Sequence, residues 1–161
     1  MRGNEKVIGL LNEALTDEFK AIVQYMVQAE MCENWGYARL GGLIKKRAFD
    51  EMHHAEGLIE RLLFLESTPR FDPMPTPQID ADVKAQLETD LACELAAVSH
   101  YNADIATCVE LGDNGTRTLF EKMLHDEEGH ADFLETQLSM IAELGLATYL
   151  SRQMGSEETA K

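Results

Sequence analysis

The sequence predicts an all-α protein: a four-helix bundle with one long crossover and a short fifth helix at the C-terminal end. Four long stretches repeat apolar residues every three or four positions, the period of a packed helix. All four prolines, Pro69, Pro73, Pro75 and Pro77, fall in one irregular segment, Ser67 to Asp80, which cannot be helical throughout. The connections on either side of that segment are tight turns. Two antiparallel hairpins joined by one connection that runs the length of the bundle account for this pattern. No strand pattern competes.

The first helix is expected from about Glu5 to Glu33, with Ile8, Leu11, Leu15, Ile22, Tyr25, Ala29 and Cys32 on its apolar stripe. Asn34, Trp35 and Gly36 make the first turn. The second helix runs to about Leu65 and turns Leu40, Ile44, Ala48, Ala55, Leu58, Leu62 and Leu65 inward. After the proline segment, Asp80 or Asp82 caps a third helix carrying Leu87, Leu91, Val98, Tyr101, Ile105 and Cys108. The run Gly112-Asp113-Asn114-Gly115 is a turn signal, and Thr116 is placed to cap a fourth helix reaching about Glu143. Gly145 ends it. The short helix follows over about 146–153, and a polar, flexible tail begins at Gly155. The whole of 1–161 reads as a single domain, with the bundle over about 5–143.

Bulk properties narrow the function. At 161 residues and 45% hydrophobic content, the chain has enough apolar material for one core. Its net charge of −15 argues against general affinity for nucleic acid or anionic membrane, since both require basic surface. Cys32, Cys93 and Cys108 form neither a zinc spacing nor a CxxC pair and read as thiols in a reducing compartment. No apolar run approaches a membrane span, and no secretory leader is legible. A cytoplasmic location is expected.

The most informative feature is an internal echo at an offset of 76 residues, as from Glu18 to Glu94. Leu15 answers to Leu91, Ile22 to Val98, Tyr25 to Tyr101 and Cys32 to Cys108. In the second helix of each hairpin Leu43 answers to Leu119, Asp50 to Asp126, Glu51 to Glu127, His54 to His130, Leu58 to Leu134 and Leu62 to Leu138. Each half therefore holds one Glu and, 33 residues on, a Glu-x-x-His. The midpoint of each pair falls at a turn. In an antiparallel hairpin that sets the pair level, roughly 25 Å along its helices at 1.5 Å per residue. The i and i+3 positions share a face, and that face is the apolar stripe.

Four carboxylates in one core repel one another and cost several kcal/mol each in desolvation. Two divalent cations balance them, and one histidine per ion completes each set. Oxygen-rich ligands of this kind suit iron or manganese better than structural zinc. One Glu from each of two helices and a Glu-x-x-His from each of the others is the ligand pattern of carboxylate-bridged di-iron and di-manganese bundles. A lone Glu-x-x-His is weak evidence. Two in register, each with a level core Glu, make a strong signal against the alternative of solvated charges or bare core ion pairs.

With these motifs, the sequence resembles bacterioferritin, a haem-binding ferritin-like family, over essentially the whole chain. The similar stretches are Gly3-Asn4-Glu5-Lys6-Val7-Ile8, Asn34-Trp35-Gly36, Glu51-Met52 with His54-Ala55, Ile59-Glu60-Arg61 through Phe64-Leu65-Glu66, Asp126-Glu127-Glu128-Gly129-His130, and Phe133-Leu134-Glu135-Thr136. The resemblance implies a ferritin-like bundle and a homo-oligomeric shell of twenty-four subunits. It implies oxidation of Fe(II) by O2 or peroxide at a di-iron ferroxidase centre within each subunit, and storage of the ferric product as mineral. Glu51 and Glu127 are then the bridging carboxylates, Glu18 and Glu94 the terminal ones, and His54 and His130 the nitrogen ligands. His130 also stands where parts of the family place a gate for iron. A ferredoxin-like reductant is an expected release partner.

The family's haem b is held between two subunits by one methionine from each, and Met52 matches that position. It lies one residue past an inward ligand, about 100° round the helix, and so faces out of its own bundle. Phe19, Val23, Met26, Phe49, Ile59 and Leu63 share this outer stripe, which a two-fold dimer would cover. Methionine as plain interface filler is the alternative. Tyr25, on the face of Glu18, is either a hydrogen-bond or electron donor to the site or a core tyrosine.

Two positions depart from the family. Lys46 stands where several relatives have a histidine that helps hold iron at the cavity surface, with Arg47 following and Asp50 retained nearby. Phe133 replaces a tryptophan found in some members. His53, His100 and His125 have no partner set in this pattern.

Three rival readings fit less well. A di-iron hydroxylase needs an apolar substrate channel or a membrane-facing helix, and a peroxide reductase a rubredoxin-like domain with four cysteines; neither is read from the sequence. A DNA-shielding cage commonly places ligands between subunits and carries basic tails, whereas here all six lie in one chain that runs out through Ser156-Glu157-Glu158. A subunit with a vestigial metal site loses ligands, and this one has them all.

Overall fold

The computed structural model describes residues 1–71 and 73–155. Helix α1 spans Glu5–Asn34 and α2 spans Ala38–Phe64. The side chain of Asn4 caps α1 by accepting the Lys6 N–H at 2.9 Å, which satisfies one of the free donors of the first turn. The chain reverses at Gly36, whose φ of +89° is cheap for glycine and costly for any residue with a Cβ. α1 packs principally against α2, and α3 (Val83–Glu110) against α4 (Asn114–Leu144). The short α5 spans Leu146–Ser151. Its Tyr149 is buried and donates its hydroxyl to the Gln137 side chain at 3.0 Å, which ties the helix to α4.

The crossover is pinned rather than loose where it is described. The Arg70 N–H donates to the Asn12 side chain at 2.7 Å, and the Thr89 hydroxyl donates to Asp80 at 2.6 Å. Of the two candidate caps for α3, Asp82 performs the role by accepting the Ala85 N–H at 3.0 Å. The cap of α4 is Asp113, not the expected Thr116. Asp113 accepts the Thr116 N–H at 3.0 Å and also pairs with Arg61 at 2.7 Å. An ionised acid at the helix start is the stronger acceptor there and complements the dipole. Thr116 is instead buried and receives the Arg61 Nε–H at 2.9 Å. The flexible tail expected beyond Gly155 lies outside the described residues.

The interior comprises two apolar clusters. One gathers Leu11, Leu15, Leu58, Leu62, Phe120 and Met123, and the other Ala29, Leu40, Ile44, Leu87, Leu134, Ile141 and Tyr149. Between them, at mid-height, lies a layer of buried acids and histidines. On the outer stripe Val23, Met26, Phe49, Met52 and Leu63 are exposed, as expected. Phe19 and Ile59 are not: both are half-buried and pack on the first cluster, and Phe19 also meets Phe71 edge-to-face at 5.2 Å. No helix among the described residues is long and apolar enough to cross a membrane.

Candidate metal centre

Each long helix contributes to the polar layer: Glu18 from α1, Glu51 and His54 from α2, Glu94 from α3, Glu127 and His130 from α4. None is more than 5% exposed. The structure brings these six together as two overlapping groups. Ligand atoms of Glu18, Glu51, His54 and Glu127 all lie within 4.8 Å of one another, and so do those of Glu51, Glu94, Glu127 and His130. Glu51 and Glu127 belong to both groups, which is the placement a bridging carboxylate requires. The two imidazoles face each other with centroids 6.2 Å apart and planes 22° from parallel.

The Nδ1 atom of His54 lies 3.0 Å from Glu51, 3.2 Å from Glu127 and 3.6 Å from Glu18. That of His130 lies 2.8 Å from Glu127, 3.1 Å from Glu51 and 3.7 Å from Glu94. These approaches converge without hydrogen-bond geometry. Both oxygens of Glu51, one of Glu127 and both Nδ1 atoms are buried with no hydrogen-bond partner. Orphaned polar atoms of this kind are costly in a core. Two divalent cations would satisfy all five and neutralise the four carboxylates, so the residues present fit a di-metal group.

Without metal the same demand falls on protons. Burial, reinforced by Glu51 and Glu127, lifts Glu18 to about 7 against the pull of His54. Burial likewise lifts Glu94 to about 8, with His130 opposing and Glu127 and Glu51 adding. Burial works against charge on His130, but Glu127, Glu51 and Glu94 outweigh it and raise that group to about 11. His54 is raised on the same grounds by Glu127, Glu18 and Glu51. Glu127 is held well below the usual carboxylate range because His130 and His54 outweigh its burial. A metal bound here would therefore displace protons.

The surroundings hold residues that sequence reasoning placed differently. Tyr25 donates its hydroxyl to Glu94 on α3, not to Glu18 on its own helix, and Tyr101 donates to Glu18 in return. Tyr101 was legible as the echo of Tyr25 but reads from sequence only as core. Its ring packs on Phe120 at 5.5 Å. Asp126 sits 3.2 Å from the Nε2 atom of His54, a contact signalled only by the echo with Asp50. Asp50 itself pairs with Arg47 at 3.8 Å. Asp90, one turn before Glu94, is buried and accepts from Gln24 at 2.8 Å and Gln28 at 2.9 Å; burial lifts it to about 6 despite those donors. His53 and His100 are exposed and lie near Glu56 and Asp17 respectively.

Cavities open on both sides of the layer. One, of about 680 Å³, runs between α1 and α3 from Glu13, Asp17, His100 and Asp104 past Ala14, Ala21, Ala96, Ala97 and Cys93 to Glu18, Glu94, Glu51 and Glu127. Part of its wall is alanine-rich, but charged residues line its mouth and its floor, so it is not the apolar channel a hydroxylase needs. It forms because the alanines along α1 and α3 leave the space between the two helices unfilled, and only packing reveals that. The other, about 770 Å³, lies between α2 and α4 and is lined by Arg47, Asp50, His54, His125, Asp126 and His130 among others.

Comparison with known proteins agrees with this geometry. A family model described as a ferritin-like domain matches residues 8–144. The chain is 40% identical over 149 residues to the bacterioferritin of Mycolicibacterium paratuberculosis, covering 92% of this chain and 94% of that one. It is 41% identical to the bacterioferritin of Brucella melitensis, over 92% of each chain, and 41% identical to that of Rhodobacter capsulatus, over 90% of each. The chain belongs to the bacterioferritin family. The matched ferritin-like stretch contains all six residues of the layer.

Proposed function

We propose that this chain is a ferroxidase subunit that stores iron, acting as a single domain in the cytoplasm. It takes up two Fe2+ ions between Glu18, Glu51, His54, Glu94, Glu127 and His130, oxidises them with O2 or peroxide, and passes ferric iron into the cavity of a homo-oligomeric shell of twenty-four subunits. The observation that carries this reading is the set of buried, unpartnered oxygens and nitrogens on Glu51, Glu127, His54 and His130. None of them has a hydrogen-bond partner within the protein, and a metal pair would supply a partner to each.

When bound, the iron pair supplies the electrons that reduce the oxidant. The chain's own residues do the rest. Glu51 and Glu127 offer carboxylates to both positions, while Tyr101 and Tyr25 hold Glu18 and Glu94 in place through their hydroxyls. Burial pushes both phenols well above their ordinary value, which keeps them protonated as donors. Asp126 keeps the Nε2 proton of His54 and so turns the Nδ1 lone pair toward the centre. The acidic mouth of the cavity between α1 and α3, with Glu13, Asp17 and Asp104, suits a cation better than an organic substrate. That favours iron over a hydroxylase substrate as its occupant.

Haem b fits the same reading. Met52 is 39% exposed, and Val23, Met26, Phe49 and Leu63 are exposed to a similar or greater extent; a two-fold copy would cover these apolar side chains, and Met52 from each subunit would hold the haem iron. A ferredoxin-like reductant then draws iron out. The test of the central activity is stopped-flow absorbance on metal-free protein given Fe2+ and O2. A fast phase saturating near two ions per subunit and lost in Glu127→Ala supports it. A native mass far below that of a shell would remove the storage role.

A further inference from the structure

The internal repeat should make the two halves of the centre equivalent, and at one point it does not. Asp50 and Asp126 occupy corresponding places, each four residues before the histidine of its own helix. Asp126 reaches across the bundle to His54, 3.2 Å from Nε2. Asp50 makes no reciprocal contact with His130; its carboxylate lies 3.8 Å from Arg47, one turn earlier on α2. The repeat supplies the reason. The counterpart of Arg47 is Met123, and Lys122, one turn before Asp126 and lining the same cavity, makes no ion pair with it, so Asp126 stays with His54. Arg47 is further anchored over the Phe133 ring, 5.5 Å from its centroid. Among the described residues, no hydrogen bond holds Nε2 of His130, although that residue and Asp50 both line the cavity between α2 and α4.

A carboxylate on the far nitrogen of a metal-binding histidine fixes its tautomer and ring orientation and raises its basicity. Loss of such a partner typically lowers metal affinity about 10- to 100-fold. We propose that Arg47 is a positioning residue that makes the centre unequal. By holding Asp50 away from His130, it leaves the Glu94–His130 position as the exchangeable one, while the Glu18–His54 position, braced by Asp126, keeps its ion. Both positions adjoin the cavity between α2 and α4, which His54 and His130 line alike, so the difference between them lies in the bracing and not in access. This inference rests on the ferroxidase reading only in taking the six residues as ligands.

The test is calorimetric titration of the assembled, metal-free protein with Zn2+, which binds without redox chemistry, joined to anomalous diffraction from crystals given one Zn2+ per subunit. The expected wild-type result is two binding events about 10- to 100-fold apart, with the first ion beside His54. Arg47→Met copies the residue at position 123, frees Asp50, and should strengthen the weaker event until the two converge. Arg47→Gln should act in the same direction if the methionine variant assembles poorly. Asp126→Asn should weaken the stronger event. Equal wild-type affinities, a first ion beside His130, or an unchanged gap in both Arg47 variants would overturn the proposal while leaving the six-ligand reading intact. Failure to bind two ions at all would overturn both.

Discussion

Replacing Glu18 and Glu94 together by glutamine should stabilise the metal-free protein at pH 8 while abolishing its response to metal. In the folded state Glu18 rises from 4.5 to about 7 and Glu94 from 4.5 to about 8, burial being the largest cause in each. At 1.36 kcal/mol per pKa unit, ionising them inside the bundle costs about 3 and about 5 kcal/mol of folding free energy. The sign follows from proton counting. Each carboxyl binds its proton more tightly folded than unfolded, so the contribution of this pair is fully present below pH 4.5 and is lost as pH rises to about 7 for Glu18 and about 8 for Glu94. His130, raised to about 11, adds a fall in the same direction above its unfolded value of 6.5. Metal competes with protons for the same atoms, so the loaded protein should gain stability over the same interval. The two substituted side chains would keep an amide oxygen for the hydroxyls of Tyr101 and Tyr25 and remove the charge. The assay is thermal unfolding followed by circular dichroism at pH 5 and pH 8, with chelator or with Zn2+. The metal-free wild type should melt lower at pH 8 than at pH 5, the double variant should flatten that slope, and Zn2+ should rescue only the wild type. Equal wild-type stability at the two pH values without metal, or a double variant less stable at pH 8, would refute the reasoning.

Three further outcomes are expected. Tyr101→Phe keeps the ring against Phe120 but removes a hydrogen bond to a charged group, worth about 1.5–3 kcal/mol; calorimetry should show affinity at the Glu18 position reduced about 10- to 100-fold, and unchanged affinity would count against the positioning role. Met52→Leu should abolish the haem Soret band while leaving the fast iron-oxidation phase intact, whereas retained haem would assign its ligand elsewhere. Ala97→Phe should narrow the cavity between α1 and α3 and slow the fast phase in stopped flow without changing its amplitude; an unaltered rate would mean that iron arrives by another route.

The centre was legible in the sequence because its chemistry and its symmetry coincide. A Glu on the core stripe is anomalous by itself, and four of them at one spacing fix both register and height. Helix number, the crossover and the outward direction of Met52 followed from periodicity and from the clustered prolines. What stayed hidden depends on contacts between helices that are not neighbours in the chain. Tyr25 shares a face with Glu18, yet its hydroxyl clears that residue and reaches Glu94 on α3. The echo marked Asp50 and Asp126 as equals, and only packing shows that Asp50 lies beside Arg47 while Asp126 reaches His54. Thr116 lost the cap of α4 to Asp113 because the acid serves the helix start and Arg61 at once. The cavity beside α1 and α3 is a property of what small side chains leave empty, and periodicity carries no record of it.

The most direct test of the central claim is diffraction at the iron absorption edge from crystals prepared with Fe2+ without oxygen. Two anomalous peaks are expected in each subunit, both touching Glu51 and Glu127, one beside Glu18 and His54 and the other beside Glu94 and His130. Carboxylates turned toward solvent, with no peak between them, would contradict the claim that a metal pair is what makes so many acids tolerable in this interior.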